Sequence, residues 1–198
     1  MKAMMPVLFL LATLGSACSS QGADASLSAS EAQALTFTME EEKLARDVYE
    51  TLENKSPVFS NIKQSEQTHM DAVETLLDRY DLSDPTSGNG TGKFRDVSLQ
   101  KLYDELVREG STSSLAALQV GVAIEELDIR DIEVARANVT HNDIANTFDN
   151  LTRGSRNHLR TFYGKVLEAG GTYTPRYLDA KTFQTIATSP METGNPNR

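Results

Sequence analysis

The chain has 198 residues, a formal net charge of -9 and a single cysteine. This length suits one domain with a full hydrophobic core, and a lone cysteine excludes an intrachain disulfide. Neutralising phosphates requires a basic face, and the sequence has no cluster of Lys and Arg, so its composition excludes a nucleic-acid partner.

The first segment, residues 1–17, is predicted to be an export signal. Lys2 precedes an apolar run that ends at Leu14, and this run is shorter than the about 20 apolar residues of a membrane-spanning helix. Small residues then lead to Cys18, whose position resembles that in a bacterial lipoprotein signal. The resemblance implies a lipid anchor on Cys18, the only expected membrane contact, and a place in the cell envelope. The alternative is cleavage after Ala17 to give a periplasmic or secreted protein.

Composition divides the rest of the chain into three parts. Residues 18–34 are rich in Ser, Ala, Gln and Gly, which predicts a flexible tether, and residues 188–198 contain two Pro and a Gly, which predicts a disordered tail. Residues 35–187 show helical spacing and no bias toward strands. They predict one all-α domain.

Apolar spacing and turn residues predict four long helices and one short helix. The first is expected to begin with Thr38 as N-cap and Glu41 completing a capping box, and to end before Pro57. Glu40 and Glu41 would then lie in its first turn, where acidic residues stabilise the helix dipole. The other helices are predicted at about 60–80, 98–109, 113–137 and 142–169. The irregular stretch 81–97 and the short helix form one long crossover between the second and third long helices, as in ferritin-type four-helix bundles.

Each predicted core stripe contains a carboxylate or a histidine. The second long helix carries Glu66 and His69, a Glu-x-x-His pair that projects two groups from adjacent turns of one face. The corresponding polar positions on the other long helices are Glu42 and Tyr49, then Glu125, then Ser155 and His158. Ionised carboxylates are costly in a core unless they are paired or bound to metal, so these stripes predict a cation between the helices.

The same residues also have purely structural interpretations. The histidine of the Glu-x-x-His pair can be satisfied by a neighbouring carboxylate, and His158 can instead hydrogen-bond to Tyr49. Glu125 can instead face solvent with the acidic residues that follow it. His141 stands between typical capping residues and is expected to be exposed and without function.

Four long runs of the sequence resemble a bacterial and archaeal ferritin-like family catalogued as domain of unknown function 2202. The similarity covers roughly Glu40 to Tyr177. The runs are EEEKLARDVY (40–49), FSNIKQSEQTHMDAV (59–73), IEELDIRDI (124–132) and NLTRGSRNHLRTF (150–162). The resemblance implies a ferritin-like helical domain that binds metal, and it does not supply a reaction.

The general ferritin pattern has one Glu on the first and third helices and Glu-x-x-His on the second and fourth. The residues that match it here are Glu42, Glu66, His69, Glu125 and His158. The glutamate expected three residues before His158 is replaced by Ser155. Asp128, one turn after Glu125, is expected to substitute for it, with Glu126 or Asp131 as alternatives if the helix rotates.

These observations together predict an exported metalloprotein. Two iron or manganese ions are expected at the matched residues and Asp128, where they would react with oxygen or peroxide, as in a ferroxidase. Tyr49 is expected to hydrogen-bond a ligand carboxylate or to act as a redox-active phenol. The alternative is a non-catalytic envelope module whose polar core is structural or stores metal.

Overall fold

The computed structural model describes residues 26–194, so the predicted signal segment and Cys18 lie outside the described residues. Within that range the chain forms six α-helices, one short 3-10 turn (Glu53–Lys55) and no β-strand, which confirms the predicted all-α class. The helices are α1 (Ala29–Thr51), α2 (Val58–Arg79), α3 (Val97–Gly110), α4 (Ser114–Arg136), α5 (Asn142–Glu168) and α6 (Ala180–Thr188). None of the helices in this part of the chain is long and apolar enough to cross a membrane.

The bounds of α2 to α5 agree with the predicted ones to within about two residues, but α1 begins earlier than predicted. Its N-cap is Ser28, whose hydroxyl accepts from the backbone N–H of Glu31 while the Glu31 carboxylate accepts from the backbone N–H of Ser28. Ser28 and Thr38 both begin capping-box patterns. The earlier one prevails because the turn that contains Leu35 is buried in the core. The predicted start at Thr38, and the tether predicted to extend to residue 34, are therefore wrong.

Four long helices form a closed ring. α1 packs mainly on α2 and α4 mainly on α5, and the two pairs meet where α1 contacts α4 and α2 contacts α5. Short connections join the helices within each pair, so each pair is antiparallel. The irregular segment 80–96 and α3 lead from the first pair to the second.

The apolar core consists of two clusters. The first contains Tyr49, Phe59 and Phe162, and the second contains Leu35 and Phe148. Along α1, α2 and α5, the buried residues of the two clusters lie on either side of the polar layer; on α4, Ile129 of the first cluster comes one residue after Asp128. α1 and α5 pass from the second cluster to the first, and α2 and α4 pass from the first to the second. α2 and α4 therefore run in the same direction, and they are connected by the segment 80–96 and α3, which the sequence predicts as a crossover.

A buried ion pair on α1 holds this crossover in place. Lys43 and Asp47, one turn apart and almost fully buried, contact each other directly. The Lys43 ammonium also donates to the carbonyl of Gly90, 2.9 Å away, and Asp47 accepts from the backbone N–H of Gly92 at 2.8 Å. Gly92 has a φ of +71°, and a Cβ there would lie 2.6 Å from the Tyr103 ring. The turn at this position therefore requires glycine.

The C-terminal segment is ordered through residue 194. α6 packs on α5 and extends to Thr188. Beyond it, Glu192 accepts hydrogen bonds from Arg156 and Arg160, and the Arg156 guanidinium lowers the pKa of Glu192 to about 2. The prediction of a disordered tail from residue 188 is therefore wrong as far as residue 194. Its composition gave no sign of these ion pairs because their partners lie on a distant helix.

His141 is largely buried rather than exposed, because it closes the Glu31 end of the bundle. Its Nδ1 lies 2.8 Å from Oε1 of Glu31, which also accepts from the backbone N–H groups of Thr140 and His141. Burial acts to raise the pKa of Glu31, but hydrogen bonds from His141, Ser28 and Thr140 outweigh it and hold that pKa well below its ordinary value.

Replacing Glu31 by Gln should destabilise the protein at neutral pH and much less in acid. The pKa of Glu31 is lower in the folded state, so its carboxylate stabilises the fold above the unfolded-state value of about 4.5. That stabilisation is lost as the pH falls through the folded-state pKa. Urea unfolding followed by circular dichroism between pH 7 and pH 3 measures the difference. Exposed Glu74→Gln is the control, and a Glu31→Gln difference that stays constant down to pH 3 would contradict the assignment.

Candidate metal centre

A layer of polar side chains from all four long helices separates the two core clusters. Its carboxylates are 2% exposed or less, and its histidines are nearly as buried. The layer consists of Glu42 on α1, Glu66 and His69 on α2, Glu125 and Asp128 on α4, and Ser155 and His158 on α5. The structure thus gathers the predicted ligands in one place, and Glu125 does not face solvent.

Three consecutive glutamates on α1 have three different surroundings. Glu40 accepts a hydrogen bond from the backbone N–H of Arg95 at the end of the crossover. Glu41 faces Asp131 of α4, and burial together with that carboxylate raises the pKa of Glu41 well above its ordinary value. Glu42 faces the polar layer. All three lie inside α1 and are buried, so assigning Glu40 and Glu41 to a first helical turn was wrong.

The first of two possible ligand groups consists of Glu42, Glu66 and His69. One potential ligand atom from each lies within 4.8 Å of the others. Nδ1 of His69 is 3.1 Å from Oε2 of Glu42 and 2.8 Å from Oε2 of Glu66. The Glu-x-x-His pair therefore turns both side chains toward the carboxylate from α1.

The second group consists of Glu66, Glu125 and His158, again with ligand atoms within 4.8 Å of one another. Nδ1 of His158 lies 2.9 Å from Oε1 of Glu66 and 3.5 Å from Oε2 of Glu125. Its Nε2 is 3.0 Å from the hydroxyl of Ser65, which fixes the ring so that Nδ1 faces the carboxylates. Glu66 belongs to both groups and turns one oxygen toward each histidine.

Several buried atoms of this region have no hydrogen-bond partner. Among the described residues, these atoms are Oε1 of Glu41, Glu42 and Glu66, Oε2 of Glu125, Oδ2 of Asp128 and Nδ1 of His158. Oε1 of Glu66 and Nδ1 of His158 lie 2.9 Å apart as an ion pair but are not aligned for a hydrogen bond. Buried polar groups normally find partners, because leaving one unpaired costs about 1–3 kcal/mol. Carboxylate oxygens and an imidazole nitrogen are ligands that Mn²⁺, Fe²⁺ and similar ions accept. The residues present therefore fit a divalent cation.

The charges of the layer are strongly coupled. Burial acts to raise the pKa of Glu66, but the imidazolium groups of His158 and His69 outweigh it and lower that pKa. Burial acts to lower the pKa of His158, but the carboxylates of Glu66 and Glu125 raise it to about 10. For Glu125 burial prevails, and its pKa is raised to about 7. A cation that binds here must therefore displace protons.

Tyr49 supports the second group from the side of the first core cluster. Its hydroxyl donates to Oε1 of Glu125 at 2.5 Å, and its ring packs on Phe59 and Phe162 with centroids 5.6 and 5.2 Å away. Burial raises the pKa of Tyr49 well above its ordinary value, so the phenol keeps its proton. His158 makes its hydrogen bond with Ser65 instead, so the alternative pairing of His158 with Tyr49 is wrong.

No carboxylate from α5 enters the layer, because Ser155 stands where the glutamate was expected. The Ser155 hydroxyl donates to the carbonyl of Leu151. Asp128 is buried close enough to Glu42 and Glu125 for their charges to raise its pKa, after the larger effect of burial. It lies outside both three-residue groups, so its expected role as the missing carboxylate stays a prediction. Glu126 cannot take that role, because it accepts from the backbone N–H groups of the segment that precedes α6.

A glycine on α5 makes room for His69. A Cβ built on Gly154 would lie 2.5 Å from Nε2 of His69, so the two helices can approach here only because residue 154 has no side chain. The rings of His69 and His158 then stack with centroids 5.6 Å apart. A glycine inside a long helix costs about 1 kcal/mol relative to alanine. A glycine at this unfavourable place was the only feature of the sequence that indicated the contact with His69. Nothing in the sequence indicated that Ser65 contacts His158.

Comparison with known proteins gives three related findings. Residues 31–190 match the family described as "Uncharacterized protein domain (DUF2202)". The chain is 43% identical over 170 residues to "Uncharacterized protein MJ0754" of Methanocaldococcus jannaschii, a match that covers 85% of this chain and 92% of that protein. The fold is similar to the crystal structure of hypothetical protein MJ0754, with a TM-score of 0.82 over 84% of this chain and 96% of that one.

Replacing Gly154 by Ala should destabilise the protein by about 1–3 kcal/mol, because the added methyl group would overpack against the His69 ring. The matched control is Gly164→Ala on the same helix, where a Cβ would meet nothing within 4 Å. That control should instead stabilise the protein by up to about 1 kcal/mol through helix propensity. Urea unfolding without added metal measures both. Equal stabilisation by the two substitutions would show that Gly154 and His69 are not in close contact.

Proposed function

The chain belongs to the DUF2202 family, and we propose that it is a ferritin-like protein that holds two iron or manganese ions between its four long helices. One observation carries the proposal. Glu66 is shared by two groups, and each group adds one further glutamate and one histidine. Two ions that share a bridging carboxylate fit this arrangement, which resembles that of carboxylate-bridged helical bundles. Five of the six unpartnered buried atoms belong to these two groups or to Asp128.

The ferritin-like assignment is supported by the direction of the helices. α2 and α4 run in the same direction and are joined by the long crossover, whereas α1 and α5 run opposite to them. Ferritin-like bundles have one such crossover. The polar layer crosses all four helices at one level, as a bundle-core metal site requires.

We propose that Glu42 and His69 would hold one ion, that Glu125 and His158 would hold the other, and that Glu66 would serve both. Such a pair of ions supplies oxidation–reduction chemistry with dioxygen or peroxide. The protein's own groups prepare the site. The Tyr49 hydroxyl fixes Oε1 of Glu125, which leaves Oε2 free to act as a ligand.

Proton release accompanies ion binding in this proposal. The carboxylates beside them hold the pKa values of His69 and His158 above their ordinary range, so Nδ1 of each is protonated before an ion binds. Each Nδ1 must lose that proton to become a ligand. Ferrous iron oxidised at such a centre by oxygen or peroxide would make the protein a ferroxidase.

A second function is supported by the histidine contacts themselves. An imidazolium at His69 lies within 3.1 Å of both Glu42 and Glu66, so the layer can be stabilised by ion pairs without metal. The protein would then be a non-catalytic envelope module with a structural or metal-storing core. A purified protein that takes up neither iron nor manganese, and whose stability does not change in chelator, would favour this function.

Single Glu→Gln substitutions should distinguish the shared ligand Glu66 from the buried glutamates near it by their effect on metal content. We expect Glu66→Gln to lower the metal content from about two ions per chain to almost none, and Glu125→Gln to remove about one. The matched control is Glu126→Gln, which replaces an equally buried glutamate next in sequence to Glu125. It should leave metal content unchanged.

Elemental analysis after anaerobic loading with Mn²⁺ or Fe²⁺ measures these contents. Bound metal at 100 times its dissociation constant should also add about 2.7 kcal/mol to the unfolding free energy of the native protein, and none for Glu66→Gln. Equal metal content in Glu66→Gln and Glu126→Gln would refute the centre. Loaded protein that does not accelerate the oxidation of Fe²⁺ by oxygen or peroxide would leave metal storage as the function.

We also propose that the protein is exported and anchored to the cell envelope through Cys18. This proposal stands on the sequence alone, because residues 1–17 and Cys18 lie outside the described residues. One acyl chain anchors only marginally, so we expect the mature protein to begin at Cys18 and to carry more than one. The intact mass of protein purified from its host gives the N-terminal residue and the number of acyl chains. Cys18→Ser removes the thiol that would be acylated and is the control. An unacylated N-terminus after Ala17 would support secretion instead, and a retained Met1 would exclude export.

A further inference from the structure

Two acidic residues that face each other, Glu41 and Asp131, lie next to the proposed metal centre but outside both ligand groups. Glu41 of α1 is only 4% exposed, and its carboxyl group interacts with the carboxyl group of Asp131 on α4. Oε1 of Glu41 has no hydrogen-bond partner. Two buried or half-buried carboxyl groups that meet, one of them with an unpartnered oxygen, offer the oxygen ligands that a divalent cation accepts.

This pair connects to the surface through a groove. Asp131 is partly exposed and lines a cavity of about 510 Å³ between α1 and α4. The walls of the cavity are mostly apolar and include Phe37 and Val134. Of the described residues that line it, Asp131 is the only charged one. A cation entering between these helices would therefore meet the carboxylate of Asp131 first.

The pair also connects inward to the centre. Asp128 precedes Asp131 by one turn of α4, is fully buried and has an unpartnered Oδ2. It lies close enough to Glu41, Glu42 and Glu125 for electrostatic interaction with each. Carboxylates thus follow one another from the groove to the ligands, beginning at Asp131 and continuing through Glu41 and Asp128.

Within residues 26–194, Arg130 is the one cation in direct contact with this series. It donates to both oxygens of Asp131, at 2.6 and 2.8 Å. Each carboxylate oxygen has a second lone pair, so Asp131 can still accept a ligand on its other side. The Arg130 guanidinium lies over the Tyr177 ring, 5.1 Å from its centroid, and its side chain is well exposed to solvent. It therefore leaves Oε1 of Glu41 unpartnered.

We propose that Glu41 and Asp131 form a transit site for a divalent cation, which enters through the groove between α1 and α4 and passes by Asp128 to the metal centre. The ligand class is a small divalent ion that binds oxygen ligands, such as Mn²⁺ or Fe²⁺. The inference rests on the proposed function, since a route needs a centre to fill. Glu41 and Asp131 speed the filling of that centre and are not among its ligands.

Mn²⁺ uptake by the full chain tests the route without depending on any reaction. In rapid mixing with no more than about two Mn²⁺ per chain, the electron paramagnetic resonance signal of free Mn²⁺ should disappear about tenfold more slowly with Glu41→Gln or Asp131→Asn, while the final occupancy of the metal centre stays at the native value. Glu133→Gln removes an exposed charge from the same helix and should not change the rate. Crystals soaked in Mn²⁺ should show anomalous scattering between Glu41 and Asp131, in addition to scattering at the centre.

The outcomes separate this inference from the proposed function. Scattering at the centre with none at Glu41 and Asp131, or scattering at the pair with unchanged uptake rates, would overturn the route and leave the centre intact. No scattering at the centre would overturn the proposed function and the route with it. If a variant fails to fold, the anomalous scattering from crystals of the native protein tests the transit site by itself.

Discussion

The carboxylate of Glu66 lies between two histidines, 2.8 Å from Nδ1 of His69 and 2.9 Å from Nδ1 of His158, in a place that is 1% exposed. A charged carboxylate so far from water is stable only beside opposite charge. Both imidazoles must therefore be held against it, one from its own helix and one from α5. Much of the surrounding structure serves to keep these three groups together.

Their contact imposes conditions on the packing around them. The apolar core is divided into two clusters, because the polar layer crosses every long helix at the same level. α5 must approach α2 closely, and Gly154 provides the space. Ser65 and Tyr49 each hold one member of the layer by a hydrogen bond from outside it. The packing of the bundle thus holds the proposed ligands in a fixed arrangement, which lowers the cost of organising a site.

The acidic run on α1 shows how one short sequence serves several purposes. Glu40 and Lys43 hold the crossover, Glu42 faces the histidines, and Glu41 faces Asp131 beside the groove. Because successive helical residues are separated by about 100° around the axis, neighbours in sequence point at different partners. A run of sequence that resembles the DUF2202 family therefore also contains residues that hold a loop in place.

Helical periodicity is a local property repeated every three or four residues, so the helical class, the bounds of α2 to α5 and the polar residues on each core stripe could be predicted from the sequence. The choice between the capping boxes at Ser28 and Thr38 could not, since burial of the turn between them depends on other helices. Nor could the contacts of Glu66 with both histidines, of Gly154 with His69 and of Glu41 with Asp131 be predicted. Each of these contacts joins residues of different helices, and their distances follow from how whole helices pack.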